Sequence, residues 1–310
     1  MKRILLVDNG SLRPQATLNL RRLAGALTEA AGEPVVAASL LHSHKIPAEQ
    51  LEGKKAVTLG PLTKRLAAEG VTELIIVPFF FGPSQALTRY LPERLTEVQA
   101  EYPRLAIKVA APLVDTLAGL DLRLARLLAD NVREAMVNKG MVNKGMVNEA
   151  MGDERTGERR KPTVVLVDHG SPTPEVAAVR NYVAGQLGAL LNEEADCVTF
   201  ASMERRDGDE YRFNEPLLAD LLASRALAGR EVILAMLFLA PGRHAGEGGD
   251  IAEICAQAIA ASPGLTVTTT RLVGEHEGIL EILASRVSQG LSGQSLLVEL
   301  PAMGKASRSR

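Results

Sequence analysis

Two histidines of this chain each end an apolar segment that has the composition of a buried strand. His169 closes the stretch VLVDH that begins at Val165, and His244 closes the stretch VILAMLFLAPGRH that begins at Val232. Imidazole binds borderline divalent ions such as Fe²⁺, Co²⁺, Ni²⁺ and Zn²⁺, and it accepts a proton near neutral pH. Together the two side chains could hold a loosely bound metal ion and take part in proton transfer.

The first half of the chain carries the same scaffold without the histidines. Asp8 to Ser11 (DNGS) and Asp168 to Ser171 (DHGS) lie 160 positions apart, and the same offset places Ser84 opposite His244. A repeat of this length indicates two copies of one domain. We therefore predict a single working site on the second half, because Asn9 and Ser84 replace its histidines in the first.

Short apolar runs alternate with helical patterns in both halves. Strands are predicted near residues 3–8, 34–40, 73–80 and 105–110, and again near 163–168, 196–202, 231–239 and 265–270. Continuous apolar strands between helices are typical of a parallel sheet that is covered on both faces. The predicted fold class is α/β, with two tandem flavodoxin-like (chelatase-like) domains, each a parallel four-stranded sheet with helices on both faces.

The predicted strand order brings the two histidines together. In a flavodoxin-like sheet the first and third strands are neighbours beside the point where the strand order reverses. His169 and His244 follow these two strands, so we expect their side chains to meet at the carboxyl edge of the sheet. Ligands of such folds bind at this edge.

The repeat also defines the predicted domain boundaries. A degenerate domain covers 1–135, and the domain with the metal site covers 162–304. The linker 136–161 contains MVNKG MVNKG MVNEA, whose five-residue period matches neither a helix face nor a strand face. We interpret it as an extension of the preceding helix followed by a mobile segment, and residues 305–310 as a tail.

Composition excludes several classes of protein. The net charge of −2 does not suggest a nucleic-acid-binding surface. The longest apolar run is shorter than the roughly 20 residues that span a bilayer, and no signal-peptide pattern opens the chain. Two cysteines, Cys197 and Cys255, cannot form a four-cysteine zinc site. We expect a cytoplasmic protein without nucleic-acid or membrane partners, and the duplication favours a monomer while leaving a homo-oligomer open.

The two motifs resemble those of a known enzyme family. The segment Asp168 to Ser171, then Gly242 to His244, then Asp250-Ile251 at a helix start, is similar to the class II chelatases of the sirohydrochlorin cobaltochelatase and ferrochelatase type, the CbiX and SirB group. The resemblance implies ATP-independent insertion of Co²⁺, Fe²⁺ or Ni²⁺ into sirohydrochlorin or a related tetrapyrrole, in cobalamin- or siroheme-type biosynthesis. It implies that His169 and His244 hold the metal, which is a substrate, and that no nucleotide is needed.

Other residues could complete such a site. Insertion releases two pyrrole protons, and Glu204, after the second strand of its domain, could act as a third ligand or as a base. A tetrapyrrole rich in carboxylates needs cations near the mouth of the site. Arg205, Arg206 and Arg243 are candidates for this contact, together with Ser171.

Some residues have weaker predicted roles. Asp168 could orient His169 as a hydrogen-bond acceptor. His42 and His44, after the second strand of the first half, are either auxiliary ligands or exposed loop residues. The amide groups of the glycines in 245–249 could bind an anion at a helix start.

Three other functions stay open from the sequence. A nucleotide-binding α/β protein would explain the glycines in 245–249, but the chain has no GxxxxGK[ST] motif. A non-catalytic metal or tetrapyrrole carrier would keep the histidines without turnover. A histidine-based phosphotransferase or hydrolase would need a phosphate-binding arginine near His169, for which Arg180 and Arg243 are candidates.

Overall fold

The computed structural model describes residues 1–117, 119–145, 160–246 and 248–303. The strands are β1 (Lys2–Asp8), β2 (Val35–Ser39), β3 (Glu73–Pro78), β4 (Ala106–Ala110), β5 (Thr163–Asp168), β6 (Cys197–Ser202), β7 (Glu231–Met236), β8 (Thr266–Thr269) and β9 (Leu296–Leu300). The helices are α1 (Pro14–Ala31), α2 (Leu59–Ala68), α3 (Leu91–Glu101), α4 (Arg123–Gly145), α5 (Pro174–Leu190), α6 (Leu218–Leu222), α7 (Asp250–Ala261) and α8 (Ile279–Ser292). The predicted α/β class with two flavodoxin-like sheets is confirmed.

The chain forms two compact units that do not follow the sequence repeat. Unit 1 comprises Met1–Asp121 and Glu277–Arg310, and unit 2 comprises Leu122–His276. The predicted boundaries of 1–135 and 162–304 instead place the start of α4 with strands β1 to β4, and α8 with strands β5 to β8. The packing differs because α4 lies against α5 and β7 in unit 2, whereas α8 lies against α1, β3 and β4 in unit 1.

Unit 1 contains a five-stranded sheet of order β2-β1-β3-β4-β9. Its first four strands are parallel as predicted, but β9 adds an antiparallel edge beside β4. The prediction of four strands is corrected here, because the apolar run LLVEL after the last helix pairs with β4. Leu5 and Val7 of β1 share one buried core with residues of α2 and α3.

Unit 2 contains the predicted four-stranded parallel sheet, in the order β6-β5-β7-β8. Every residue of β5 is buried. Val165 and Val167 of this strand face a core that includes Leu218 of α6 and Ile251 of α7. The strands that precede His169 and His244 are therefore neighbours, as the flavodoxin-like order predicted.

The predicted linker is described only in part. Helix α4 continues to Gly145, so the helical extension covers the first two copies of the MVNKG repeat. The remainder of the linker up to residue 159 and the predicted tail 305–310 lie outside the described residues. Among the helices that the structure describes, none has the length and apolar character needed to cross a bilayer.

Candidate functional site

The loop after β5 places His169 at the carboxyl edge of the sheet in unit 2. The backbone N–H groups of Met203 and Glu204 donate to the carbonyl oxygens of Asp168 at 2.8 Å and of His169 at 3.2 Å. Gly170 permits this close approach: its φ is +92°, and a Cβ atom there would collide with the carbonyl of Glu204. The loop is thereby tied to the end of β6, with Glu204 beside His169.

A buried ion pair supports the loop from beneath. Arg180 of α5 is 0% exposed. Its Nη1 lies 3.4 Å from Asp168 Oδ1, and it also donates to Ser202 Oγ and to the carbonyl oxygen of Asn214. Burial raises the pKa of the Asp168 carboxyl, an effect that the charge of Arg180 and a hydrogen bond from Ser202 oppose. The pair fixes the end of β5.

This network corrects two predicted roles. Asp168 accepts hydrogen bonds from Arg180 and Ser202, and the Nδ1 atom of His169 lies instead against the carbonyl oxygen of Gly170 at 3.0 Å. Arg180 is enclosed, so it cannot serve as the phosphate-binding arginine that the phosphotransferase alternative required.

Ser171, a candidate ring contact, is engaged with its own loop. Its N–H donates to Asn214 Oδ1 at 2.9 Å, and its carbonyl oxygen accepts from Asn214 Nδ2 at 2.9 Å. Its hydroxyl accepts from the N–H of Thr173, just before α5 begins. Asn214 was not singled out in the sequence, because an isolated asparagine in a charged loop has no distinguishing pattern.

The loop between β7 and α7 is closed by backbone hydrogen bonds that hold His244 in place. The N–H groups of Asp250 and Ile251, at the start of α7, donate to the carbonyl oxygens of Arg243 at 3.3 Å and His244 at 3.2 Å. A Cβ atom at Gly249 would lie 2.7 Å from the Arg243 carbonyl oxygen, so this closed loop requires glycine at position 249.

One amide of the predicted anion site at this helix start is already engaged. The N–H of Gly249 donates to the carbonyl oxygen of Gly246 at 3.1 Å, so this amide already has an acceptor. Glu247, within the same glycine-rich stretch, lies outside the described residues.

The two histidine rings meet. Their centroids are 4.5 Å apart with an angle of 67° between the ring planes. The side chains are 45% exposed for His169 and 31% exposed for His244, so both are open to a ligand. This convergence is the geometry expected of side chains that follow neighbouring parallel strands.

Both rings use Nδ1 for a contact with a protein oxygen. Nδ1 of His244 lies 2.6 Å from Asp250 Oδ2, and Nδ1 of His169 lies 3.0 Å from the Gly170 carbonyl oxygen. These oxygens only accept, so Nδ1 is assigned as the hydrogen-bond donor of each ring. Each Nε2 therefore presents a lone pair that can bind a metal ion. The sequence motif contained Asp250, but its contact with His244 was not predicted.

Glu204 is the third member of the predicted site. Its Oε1 atom lies 3.4 Å from Nε2 of His169, and its side chain is 58% exposed. Within the part of the chain that the structure describes, no group of three or more histidine, cysteine, aspartate or glutamate side chains is arranged to hold a metal ion. The observed centre thus has two imidazoles, with the Glu204 carboxylate beside Nε2 of His169 and the Asp250 carboxylate beside Nδ1 of His244.

The candidate cations differ in their availability. Nε of Arg205 lies 3.1 Å from Glu215 Oε1, and its Nη1 donates to the carbonyl oxygen of Arg206, so this side chain is held within its loop. Arg206 is exposed. Arg243 is 81% exposed, with its Nε 3.8 Å from Asp250 Oδ2. The exposed guanidinium groups have the greater freedom to meet a carboxylate.

The equivalent edge of unit 1 has different chemistry. Asn9 and Ser84 occupy the positions of the two histidines, and the N–H of Ser84 donates to the carbonyl oxygen of Gly82. His42 and His44 are exposed, in agreement with the interpretation as loop residues.

The position equivalent to Arg180 is apolar in unit 1. Leu20 stands at the position of Arg180 and is 2% exposed, while Asp8 and Ser39 repeat the pair Asp168 and Ser202. Oδ1 of Asp8 is buried and has no hydrogen-bond partner among the described residues. Burial raises the pKa of Asp8 to about 6, and its hydrogen bond to Ser39 offsets only part of this effect.

Asp8→Asn is expected to stabilise the protein above pH 6. The folded pKa of Asp8 exceeds its unfolded value of 3.8, so its titration lowers the free energy of unfolding as pH rises from about 4 to about 6. A shift of this size corresponds to about 3 kcal/mol at most. Denaturation at pH 4 and pH 8 should show equal stability of variant and wild type at the lower pH and a gain at the higher. A gain of the same size at both would contradict the burial of this charge.

The chain matches one family profile, and its fold matches solved structures. The CbiX profile matches residues 3–135 and 163–290. SirB from Bacillus subtilis with Fe³⁺ has 16% identity and a TM-score of 0.64, covering 96% of this chain and 99% of that chain. The sirohydrochlorin chelatase SirB from Bacillus subtilis subspecies spizizenii, in complex with cobalt, has 15% identity, the same TM-score and the same coverage.

A third structure is similar over nearly its whole length. CbiX, described as the terminal enzyme for biosynthesis of siroheme in denitrifying bacteria, has 16% identity and a TM-score of 0.56, covering 92% of this chain and 98% of that chain. At these identities the structures show a shared fold. No curated protein matches the chain significantly.

Proposed function

Because the chain belongs to the CbiX family, we propose that it inserts a divalent metal ion, Co²⁺, Fe²⁺ or Ni²⁺, into sirohydrochlorin or a related tetrapyrrole without ATP. The reaction would form part of cobalamin- or siroheme-type biosynthesis. One SirB structure is described with Fe³⁺, and the other is described as a sirohydrochlorin chelatase in complex with cobalt. These descriptions support the proposed classes of metal and ring.

The paired imidazoles are the observation that carries the proposal. His169 and His244 are in ring contact at the carboxyl edge of one sheet, each with Nδ1 engaged, which leaves Nε2 as the nitrogen that would bind a cation. Two protein ligands leave most coordination positions of a divalent ion open. Such an ion can be passed to four ring nitrogens, because few bonds to protein must break.

The proton acceptors lie beside the metal ligands. Insertion of M²⁺ replaces two pyrrole protons, which need two acceptors within reach. The carboxylate of Glu204 is one, and an imidazole that has released the metal is the other. The short distance between Glu204 and His169 Nε2 supports this assignment.

Carboxylates of the ring would be met by cations around the site. Arg206 and Arg243 are exposed and can reach towards a bound anion, while Arg205 is oriented by Glu215. Guanidinium groups bind carboxylates in a bidentate geometry, which would fix the ring over the histidines. Ser171 is the remaining proposed ring contact.

The proposal predicts multiple turnovers in an anaerobic absorbance assay. The purified chain, sirohydrochlorin and Co²⁺, Fe²⁺ or Ni²⁺ in turn are compared with a sample without enzyme. Spectral conversion of many ring equivalents per protein would support a chelatase and rank the metals. Binding of one equivalent of metal or ring without conversion would instead identify a carrier, and absence of ring binding would favour a phosphate-binding protein.

The duplication supports a monomeric enzyme with one site. Many oligomers pair identical domains from separate chains. A chain that carries both domains does not need a partner chain to form such a pair. Light scattering during size-exclusion chromatography should give the mass of a single chain, and a dimer mass would show that duplication has not replaced association.

A further inference from the structure

Chemically different groups support the two histidines. Behind His244 stands the Asp250 carboxylate, with Oδ2 2.6 Å from Nδ1. Behind His169 stands the neutral carbonyl oxygen of Gly170, 3.0 Å from Nδ1. A hydrogen bond to an anion is stronger than one to a neutral acceptor, and it makes the opposite ring nitrogen a better metal donor. The two rings are therefore unequal ligands.

The fold holds Asp250 in its place behind the ring. Asp250 is the first residue of α7, a helix of 12 residues, and its N–H donates to the carbonyl oxygen of Arg243. The guanidinium Nε of Arg243 lies 3.8 Å from the same carboxylate oxygen that contacts His244. Backbone and side-chain contacts thus fix the carboxylate and the imidazole relative to each other.

The metal-binding nitrogen of His169 has a different environment. Its Nε2 lies 3.4 Å from Glu204 Oε1, so a carboxylate stands beside the atom that would bind the ion. His169 is also the more exposed of the two rings. Nε2 of His169 thus has a proton acceptor next to it, while Nδ1 of the same ring has only a neutral oxygen as its partner.

From these contacts we infer that Asp250 is a positioning residue that makes His244 the ligand holding the metal, and that His169 with Glu204 forms the half that releases it. The inference rests on the proposed function. During insertion the bond from the metal to His169 Nε2 breaks as bonds to ring nitrogens form. The freed Nε2 accepts one pyrrole proton and the Glu204 carboxylate accepts the other, so two protons leave the ring as one M²⁺ enters.

Titration of the full chain with Co²⁺ in the absence of ring tests the role of Asp250. Visible absorption of the bound ion reports affinity. Asp250→Ala is expected to weaken Co²⁺ binding about 10- to 100-fold, and Asp250→Asn, which keeps an acceptor but loses the charge, by less. Glu253→Gln removes a charge from the same first turn of α7 and should change the affinity less than about twofold, within the scatter of surface substitutions.

Two further measurements separate positioning from a structural role. Added formate should restore Co²⁺ binding to Asp250→Ala, because a small carboxylate can occupy the vacated space. Glu204→Gln should retain Co²⁺ affinity within about threefold while slowing insertion at least about tenfold, as expected when one proton acceptor is lost. The thermal transition of each variant verifies that it is folded.

The outcomes distinguish the inference from the proposed function. Wild-type affinity in Asp250→Ala, or a folded Asp250→Ala that formate does not restore, would overturn the positioning role. Equal weakening of Co²⁺ binding by Glu204→Gln and Asp250→Ala would overturn the division between holding and releasing halves. A wild-type protein whose Co²⁺ binding depends on Asp250 but which inserts no metal would overturn the chelatase function while leaving the positioning role intact.

Discussion

Replacing His169 or His244 by alanine is expected to lower the rate of metal insertion about a thousandfold or more. Each substitution removes one of the two proposed protein ligands, and a thousandfold loss corresponds to about 4 kcal/mol of transition-state stabilisation. Both side chains lie partly exposed in loops, so stability should fall by no more than about 1 kcal/mol, even where the contact of His244 with Asp250 is lost. The anaerobic insertion assay and a thermal melt measure the two effects on the same samples.

The matched controls lie at the equivalent positions of unit 1. Asn9→Ala and Ser84→Ala should keep insertion within about twofold of wild type, because neither side chain has an imidazole that could bind the metal ion. An Asn9→Ala variant that loses most of its activity would refute the model of a single site on unit 2.

Arg180→Leu is expected to destabilise unit 2 by about 3 to 5 kcal/mol, because it leaves the buried Asp168 carboxylate without its counter-charge. Leucine is the natural residue at the equivalent position, Leu20. The chain has no tryptophan, so far-UV circular dichroism during chemical denaturation is the suitable measurement. The loop that carries His169 should loosen as well, with a loss of Co²⁺ affinity.

Two control variants identify the cause of the lost stability. Arg230→Leu removes an arginine from an exposed pair with Asp196, and such pairs contribute about 0 to 1 kcal/mol. The double variant Arg180→Leu with Asp168→Asn removes both buried charges and should regain part of the lost stability. If Arg180→Leu costs no more than Arg230→Leu, the buried pair does not support the site as described.

The convergence of the two histidines could be predicted from sequence because its causes are local. Each histidine follows an apolar strand, and the 160-residue repeat gives both strands a place in a common sheet order. Parallel strands end at one edge, so residues that follow β5 and β7 meet once those strands are neighbours. The fold class follows from the same alternation of strands and helices.

The features that escaped prediction depend on distant partners. Strand β9 pairs with β4, nearly 200 residues earlier, and nothing in LLVEL specifies that pairing. Arg180 is a single arginine in a helix whose sequence does not distinguish a buried guanidinium from a solvated one. Its role follows only from its contacts with Asp168, Ser202 and Asn214 in the folded chain.

Unit 2 is one uninterrupted stretch of chain, whereas unit 1 is assembled from both ends. On the ribosome, the stretch Leu122–His276 is complete before α8 and β9 exist, so the unit that carries His169 and His244 can fold before unit 1 is fully synthesised. A fragment cut at these limits retains the histidines, Asp250 and the helix α4 that packs on β7. A fragment cut at the repeat boundary loses that helix, so the compact unit that contains the proposed metal ligands begins inside the first repeat.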